Sequence, residues 1–288
     1  MHRLVFLILS AASLLRAEPG ASSRALSDVP YKTGDSLSDY ERERCKLDVY
    51  LPESGKDWPV LVWFHGGGLK AGDKRGTPED GVKTEPIVAS LSRAGIAVVS
   101  VNYRFSPKVT FPAYLEDAAA AVAWAKGHLK ELGANPDRLY VGGHSAGGYV
   151  AFMIGLDPTY LLKEGLSPKD LAGLIPVSGQ TVTHSTVREE RGIARTTVIS
   201  DEAAPLYHVR KDTPPILVIY ADRDMAGREA ENELFVEMMK SAKNEGVTGL
   251  RVEDRTHGSI ASEIANEGDP AREAILRFVG VSSGPTLE

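Results

Sequence analysis

Ser145 stands in the run Gly143-His144-Ser145-Ala146-Gly147. A serine hydroxyl is a weak nucleophile. It attacks a carbonyl only where a base takes its proton and N–H donors stabilise the oxyanion that forms. Alone, Gly-x-Ser-x-Gly is an unspecific pattern, since a chain with 28 glycines can carry it as a flexible turn. Three other stretches supply the missing parts. Histidine titrates in the range a base needs near neutral pH, and His257 lies in Thr256-His257-Gly258-Ser259. A carboxylate that orients such a histidine is offered by Tyr220-Ala221-Asp222-Arg223-Asp224. Asp224, further out in the loop, is the choice, and Asp222 is the alternative, read as a turn or helix-capping residue. The glycines of His65-Gly66-Gly67-Gly68 leave backbone N–H groups unshielded, able to act with the N–H of Ala146 as an oxyanion hole. The order along the chain is Ser145, Asp224, His257. This chemistry requires no metal and no cofactor.

The remaining histidines fit the base role less well. His2 lies in the N-terminal segment, His128 in a helix as a surface residue, and His184 and His208 in a polar stretch before the acid. His144 adjoins Ser145 but is expected to point away from it, and His65 reads as a structural residue holding its loop.

These groups need a scaffold that brings loops together, and the hydrophobic pattern supplies one. Asp137-Arg138-Leu139-Tyr140-Val141 reads as a short buried strand before Ser145, and Gly148 to Ile154 as an apolar helix after it. Such a strand–turn–helix lifts the hydroxyl clear of the sheet at a helix N-terminus. Continuous apolar runs at 59–64, 95–101, 171–177 and 216–220 predict strands covered on both faces. The alternating stretch 45–51 predicts a half-exposed antiparallel edge strand, and 250–253 a strand near the other edge. Helices are expected over 86–93, 113–132, 229–242 and 271–279. The fold class is therefore α/β, with a mostly parallel central sheet and helices on both faces. Every chemical candidate falls just after a strand, where sites gather in such sheets.

Length and composition agree with one domain. The 288 residues are 42% hydrophobic and 25% charged, with no linker or repeat. Residues 1–17 pair a short basic start with an apolar run too short to span a bilayer, and read as a signal peptide, which implies a secreted or periplasmic protein. Residues 18–44 read as a polar, loosely packed lead-in, and 45–288 as the main domain. Losing Arg3 and Arg16 with the leader moves the formal charge from −6 to −8. That balance argues against nucleic acid or an anionic membrane as partner and leaves a small-molecule substrate. Cys45 is the only cysteine, which excludes an intrachain disulfide and a cysteine metal site. It reads as a buried, inert thiol.

Taken together, the motifs resemble the α/β-hydrolase superfamily. Within it the chain is similar to carboxylesterases of the hormone-sensitive-lipase and bacterial feruloyl-esterase-like kinds. The resemblance rests on Leu47-Asp48-Val49-Tyr50-Leu51-Pro52, His65-Gly66-Gly67-Gly68 with Gly72-Asp73-Lys74, Asn102-Tyr103-Arg104 with Phe111-Pro112-Ala113, Gly143 to Gly148, and Pro214-Pro215-Ile216. These span roughly residues 45–280. The resemblance implies an α/β-hydrolase fold with Ser145 as nucleophile, Asp224 as acid, His257 as base, and Gly67, Gly68 and Ala146 as oxyanion donors. It implies hydrolysis of short-chain or aryl esters through an acyl-enzyme. An amidase, formamidase or peptidase on the same triad is the alternative, and a non-catalytic binding module is a second. There are departures from the family pattern. Leu69 replaces an aromatic residue, which is expected to reshape the acyl pocket, and Ala221 replaces a glycine before the acid. The lead-in is short, so residues 180–212 are the expected lid, gating the substrate.

Overall fold

The computed structural model describes residues 24–77 and 81–281. The leader segment 1–17 lies outside the described residues. One sheet forms in the order β1-β2-β4-β3-β5-β6-β7-β8. Its strands are β1 (Arg24–Pro30), β2 (Lys46–Tyr50), β3 (Trp58–Phe64), β4 (Ala97–Val101), β5 (Ala134–His144), β6 (Gly173–Val177), β7 (Ile216–Arg223) and β8 (Val247–Thr256). The first two pairings, β1 with β2 and β2 with β4, are antiparallel, and the rest are parallel. The helices are α1 (Asp39–Arg44), α2 (Thr84–Arg93), α3 (Ala113–His128), α4 (Ala146–Leu156), α5 (Pro158–Lys163), α6 (Ser185–Glu190), α7 (Arg228–Ser241), α8 (Ser259–Ser262) and α9 (Pro270–Phe278). None of the described helices is long and apolar enough to cross a membrane.

Strand periodicity splits the core in two. In β3, Val60, Val62 and Phe64 pack with α3, α4 and α7 on one face of the sheet. Leu61 and Trp63 point the other way, into a cluster with α2, α8 and α9. Both faces are covered, so β3 reads as an unbroken apolar run rather than an alternation. All eleven residues of α4 are buried. A helix with no polar face has nowhere to lie but the core, and this pins the turn that precedes it.

The N-terminal part differs from the expectation. The stretch 45–51 is not an edge strand: β2 pairs on both sides and four of its five residues are buried. Its alternation misleads because Asp48, the polar member, is buried in an ion cluster. Asp48 accepts hydrogen bonds from Arg75 Nε (2.5 Å) and from the Asp28 backbone N–H (2.8 Å), and lies 3.3 Å from Lys74 Nζ. The true edge is β1, inside the supposed loose lead-in. Its Asp28 joins the same cluster. The Lys74 hydrogen bond, reinforced by Arg75 against the opposing effect of burial, holds the Asp28 carboxyl down at about 2. Helix α1 also lies in the lead-in, opened by a Ser38–Glu41 capping box. At the other edge β8 lies where the pattern placed it. Cys45 is buried and free, and burial lifts its thiol to about 12.

Removing the buried Asp48 carboxylate leaves the buried Lys74 and the half-buried Arg75 with only the exposed Asp28 between them. Asp48→Ala should lower the unfolding free energy by about 3 kcal/mol. Urea denaturation measures this, and a loss within error of zero would mean the cluster is not coupled to folding.

Candidate active site

The sharp turn at Ser145 is the geometric centre of the site. It joins β5 to α4 with φ +57° and ψ −114°, a strained region for a residue with a side chain. The Ser145 N–H donates to the Val177 carbonyl of β6 (2.8 Å), and its carbonyl accepts from Tyr149 N–H at the start of α4 (3.0 Å). Crowding explains the following glycine: a Cβ on Gly147 would sit 2.0 Å from the Phe64 carbonyl oxygen at the end of β3. The helix can therefore start directly against the neighbouring strand only with glycine there.

Three loops at the carboxyl ends of β5, β7 and β8 meet at this turn. His257 Nε2 lies 2.9 Å from Ser145 Oγ, and His257 Nδ1 lies 2.5 Å from Asp224 Oδ1. The structure thus brings together Ser145, His257 and Asp224. It does not bring in Asp222, whose carboxylate accepts the Arg255 N–H (2.8 Å) and ties β7 to β8, the turn role allowed for it. Asp224 is shielded from solvent. Burial pushes its carboxyl up, but hydrogen bonds from His257 and Ser178, the nearby His257 ring and the Met225 N–H together hold it below the usual carboxylate range. It is a carboxylate wherever the protein is folded near neutral pH, as an orienting acid must be.

Residues 65–68 leave the end of β3 and pass beside Ser145. The loop closes through the Gly67 carbonyl, which accepts from the N–H groups of Lys70 and Ala71 (both 3.1 Å). Gly67 has φ +107°, and a Cβ there would meet the Ala71 carbonyl oxygen at 2.1 Å. Gly67 and Gly68 line the same cleft as Ser145. Ala146 is the first residue of α4, so its N–H has no acceptor within the helix. His65 is structural, as expected: it stacks on Tyr103 (ring centroids 4.6 Å apart) and its Nδ1 contacts the Gly66 carbonyl (2.7 Å). Leu69 is fully buried in the core, with φ +62°, and takes no part in lining the site.

Several contributors were not foreseen. Ser178, at φ +49° just past β6, donates to Asp224 Oδ2 (2.5 Å), so Asp224 is gripped on both oxygens. His144 does not simply point away. Its Nε2 lies 2.7 Å from the His257 carbonyl oxygen, to which it must donate, and the two rings are 4.7 Å apart. Arg228, the first residue of α7, donates from Nη1 to the Ser178 carbonyl (2.5 Å). The only sequence signal was position for Ser178, one residue past a strand, and His144, one before the nucleophile; Arg228, at the start of α7, had none.

The cleft has a volume of about 390 Å³, with Trp63, Val82, Ile87 and Met225 supplying apolar surface. Residues 180–212 close one side. They carry α6, and His184, Ser185 and Arg195 from this stretch line the cleft. The inner part is firmly packed: Thr181, Thr183, His184, Thr186, Val187 and Arg188 are all buried. Thr186 Oγ1 donates to the Gly68 carbonyl (2.5 Å), and Lys70 pairs with Glu189, so α6 is fastened to the glycine loop.

With the fold and the hydrogen-bonded line Asp224–His257–Ser145 in place, the protein is an α/β-hydrolase. The sequence model of the BD-FAE family matches residues 47–239, and the chain belongs to that family. The chain is similar to the probable carboxylic ester hydrolase LipM of Mycobacterium tuberculosis, 27% identical over 66% of this chain and 46% of LipM. It is also similar to the esterase LipQ of the same organism, 25% identical over 90% of this chain and 62% of LipQ. The chain thus spans about half to three-fifths of the length of these curated relatives. Among solved structures, a truncated carbohydrate esterase from gut microbiota superposes with a TM-score of 0.71, covering 90% of this chain and 96% of that one. At 19% identity, that likeness speaks for the fold.

His144 and His184 are buried, and their pKa values are pushed down to about 3, chiefly by burial. The nearby His257 ring adds to this for His144, and the Arg228 and Arg188 charges add to it for His184. Both stay neutral in the folded state down to that range, while the unfolded chain protonates them near 6.5. Unfolding then takes up protons between these limits, so stability falls as pH drops below about 6.5. Unfolding free energies in urea should fall by about 2 kcal/mol per pH unit from pH 6 to 4.5, and His144→Asn should roughly halve that slope. A flat profile in the wild type would contradict the burial of neutral imidazoles.

Proposed function

We propose that the protein is a serine carboxylesterase that hydrolyses short-chain or aryl carboxylic esters through an acyl-enzyme. The observation that carries this reading is the hydrogen-bonded line from Asp224 through His257 to Ser145, beside a glycine loop and a helix N-terminus. The names of the relatives, esterase and carboxylic ester hydrolase, point the same way.

The steps follow from the geometry. His257 Nε2 accepts the Ser145 proton as Oγ attacks the ester carbonyl. Asp224 holds the Nδ1–H tautomer and stabilises the imidazolium that forms. The developing oxyanion is received by the N–H groups of Gly67, Gly68 and Ala146. One such donor is worth about 3 kcal/mol to the transition state. His257 then protonates the leaving alcohol. Water, deprotonated by the same nitrogen, attacks the acyl-enzyme and releases the acid. Residues 180–212 serve as a wall that shapes the cleft, since Thr186 and Glu189 bind α6 to the glycine loop.

Hydrolysis of p-nitrophenyl acetate, butyrate, octanoate and palmitate tests the reading. The wild type should favour the shorter chains, given a cleft of about 390 Å³. Ser145→Ala should abolish turnover above background. Asp224→Asn should lower kcat by about 10⁴, because the histidine loses its orienting carboxylate, and Asp222→Asn should lower it by no more than a few-fold. Equal losses in the two aspartate variants would overturn the assignment of the acid. Turnover that survives in Ser145→Ala would overturn the nucleophile.

A further inference from the structure

The cleft beside Ser145 carries charge of one sign. Among the described residues that line it are Arg195 and Arg228, and no carboxylate. This stands out in a chain whose formal charge is −6. Arg228 is the less usual of the two. Its side chain is only 9% exposed, yet its guanidinium is poorly compensated. Nη1 donates to the Ser178 carbonyl. Nε is buried with no hydrogen-bond acceptor. The nearest carboxylate, Glu231, stays 3.8 Å away and turns the same oxygen towards the Thr181 N–H (3.3 Å). Asp224, the other acid whose charge reaches Arg228, spends its oxygens on His257, Ser178 and Met225.

Further cations gather on the same side. His184, which lines the cleft, feels the charges of Arg228, Arg188, Arg195 and Lys70. Lys70 and Arg195 share one acid, Glu189. Burying a guanidinium without a full set of acceptors is costly. A planar fork of N–H donors fits a carboxylate better than any neutral group. An arginine that had only to brace the Ser178 carbonyl would need neither a place on the cleft wall nor a second arginine lining the same cleft.

We propose that Arg228, together with Arg195, selects ester substrates that carry a carboxylate in addition to the scissile ester. The inference rests on the esterase reading and deepens it by naming a substrate class. Both residues act on binding and orientation, and neither enters the bond-making steps. An anionic ester should therefore gain mainly through a lower KM.

Two matched pairs test this, one for each side of the scissile bond. On the acyl side, mono-p-nitrophenyl adipate is compared with p-nitrophenyl methyl adipate. On the alcohol side, 4-acetoxybenzoate is compared with its methyl ester. Each rate is divided by the uncatalysed rate of the same compound. In at least one pair the wild type should favour the anion in kcat/KM by about tenfold. Raising the salt from 0.05 to about 0.5 M should shrink the preference. Arg228→Met and Arg195→Met should each reduce the anion-to-neutral ratio, and Arg228→Lys should restore part of it. The ratio is read within each variant, so a general loss of activity through Ser178 does not mimic the effect. If Arg228→Met does not fold, Arg195→Met and the salt series carry the test. A ratio at or below one in both pairs would overturn the proposal, as would a preference that both methionine variants retain. Hydrolysis of the neutral esters that Ser145→Ala abolishes reports separately on the esterase reading. If that hydrolysis is absent or independent of Ser145, both fall together.

Discussion

The site depends on a backbone that cannot relax. Ser145 is held at positive φ because β5 ends against β3 and β6 while α4, buried on every side, begins at the next residue. The Val177 carbonyl fixes the Ser145 N–H, and the Phe64 carbonyl leaves no room for a side chain at Gly147. Strain at a single residue is tolerated when the surrounding packing over-determines it. Here both core clusters and two strand neighbours do so. The consequence is a hydroxyl standing above the sheet, beside a helix N-terminus, at the height of the loops that follow β3, β7 and β8.

The second layer of the design is electrostatic. Asp224 is gripped on both oxygens, so its charge and direction are set before any substrate arrives. His144 holds the His257 backbone from below, and its burial keeps it neutral, so that no second cation competes with an imidazolium at His257. Arg195 and Arg228 line the cleft with no carboxylate among its described lining residues, in an otherwise acidic molecule. The same few elements, the β6 end, the start of α7 and the 180–212 segment, serve both tasks. Arg228 joins them, since it braces the Ser178 that binds Asp224 and also faces the cleft.

The parts legible from sequence were those written in local backbone chemistry. Gly143 and Gly147 around Ser145 and Gly67 after His65 mark places where a side chain would collide, and such marks survive without knowledge of the fold. The buried strands were legible because cover on both faces removes alternation. Misreadings arose where a polar residue is buried with distant partners. Asp48 made β2 look half-exposed, although its counter-charges lie on Lys74 and Arg75. The strand β1 carries Arg24, Asp28 and Pro30 and has no apolar pattern of its own. Ser178, His144 and Arg228 could not be assigned roles, because those roles exist only once β5, β6, β7 and β8 are adjacent. Leu69, at positive φ, has its side chain buried in the core.

The central claim is that His257 and Asp224 make Ser145 a nucleophile. Covalent labelling by a fluorophosphonate, followed by intact mass and peptide mapping, tests this without assuming any substrate. The expected result is a single adduct on the peptide containing Ser145, absent in Ser145→Ala and formed at least about a hundredfold more slowly in His257→Ala. No adduct, an adduct on another residue, or equal labelling rates with and without His257 would contradict it.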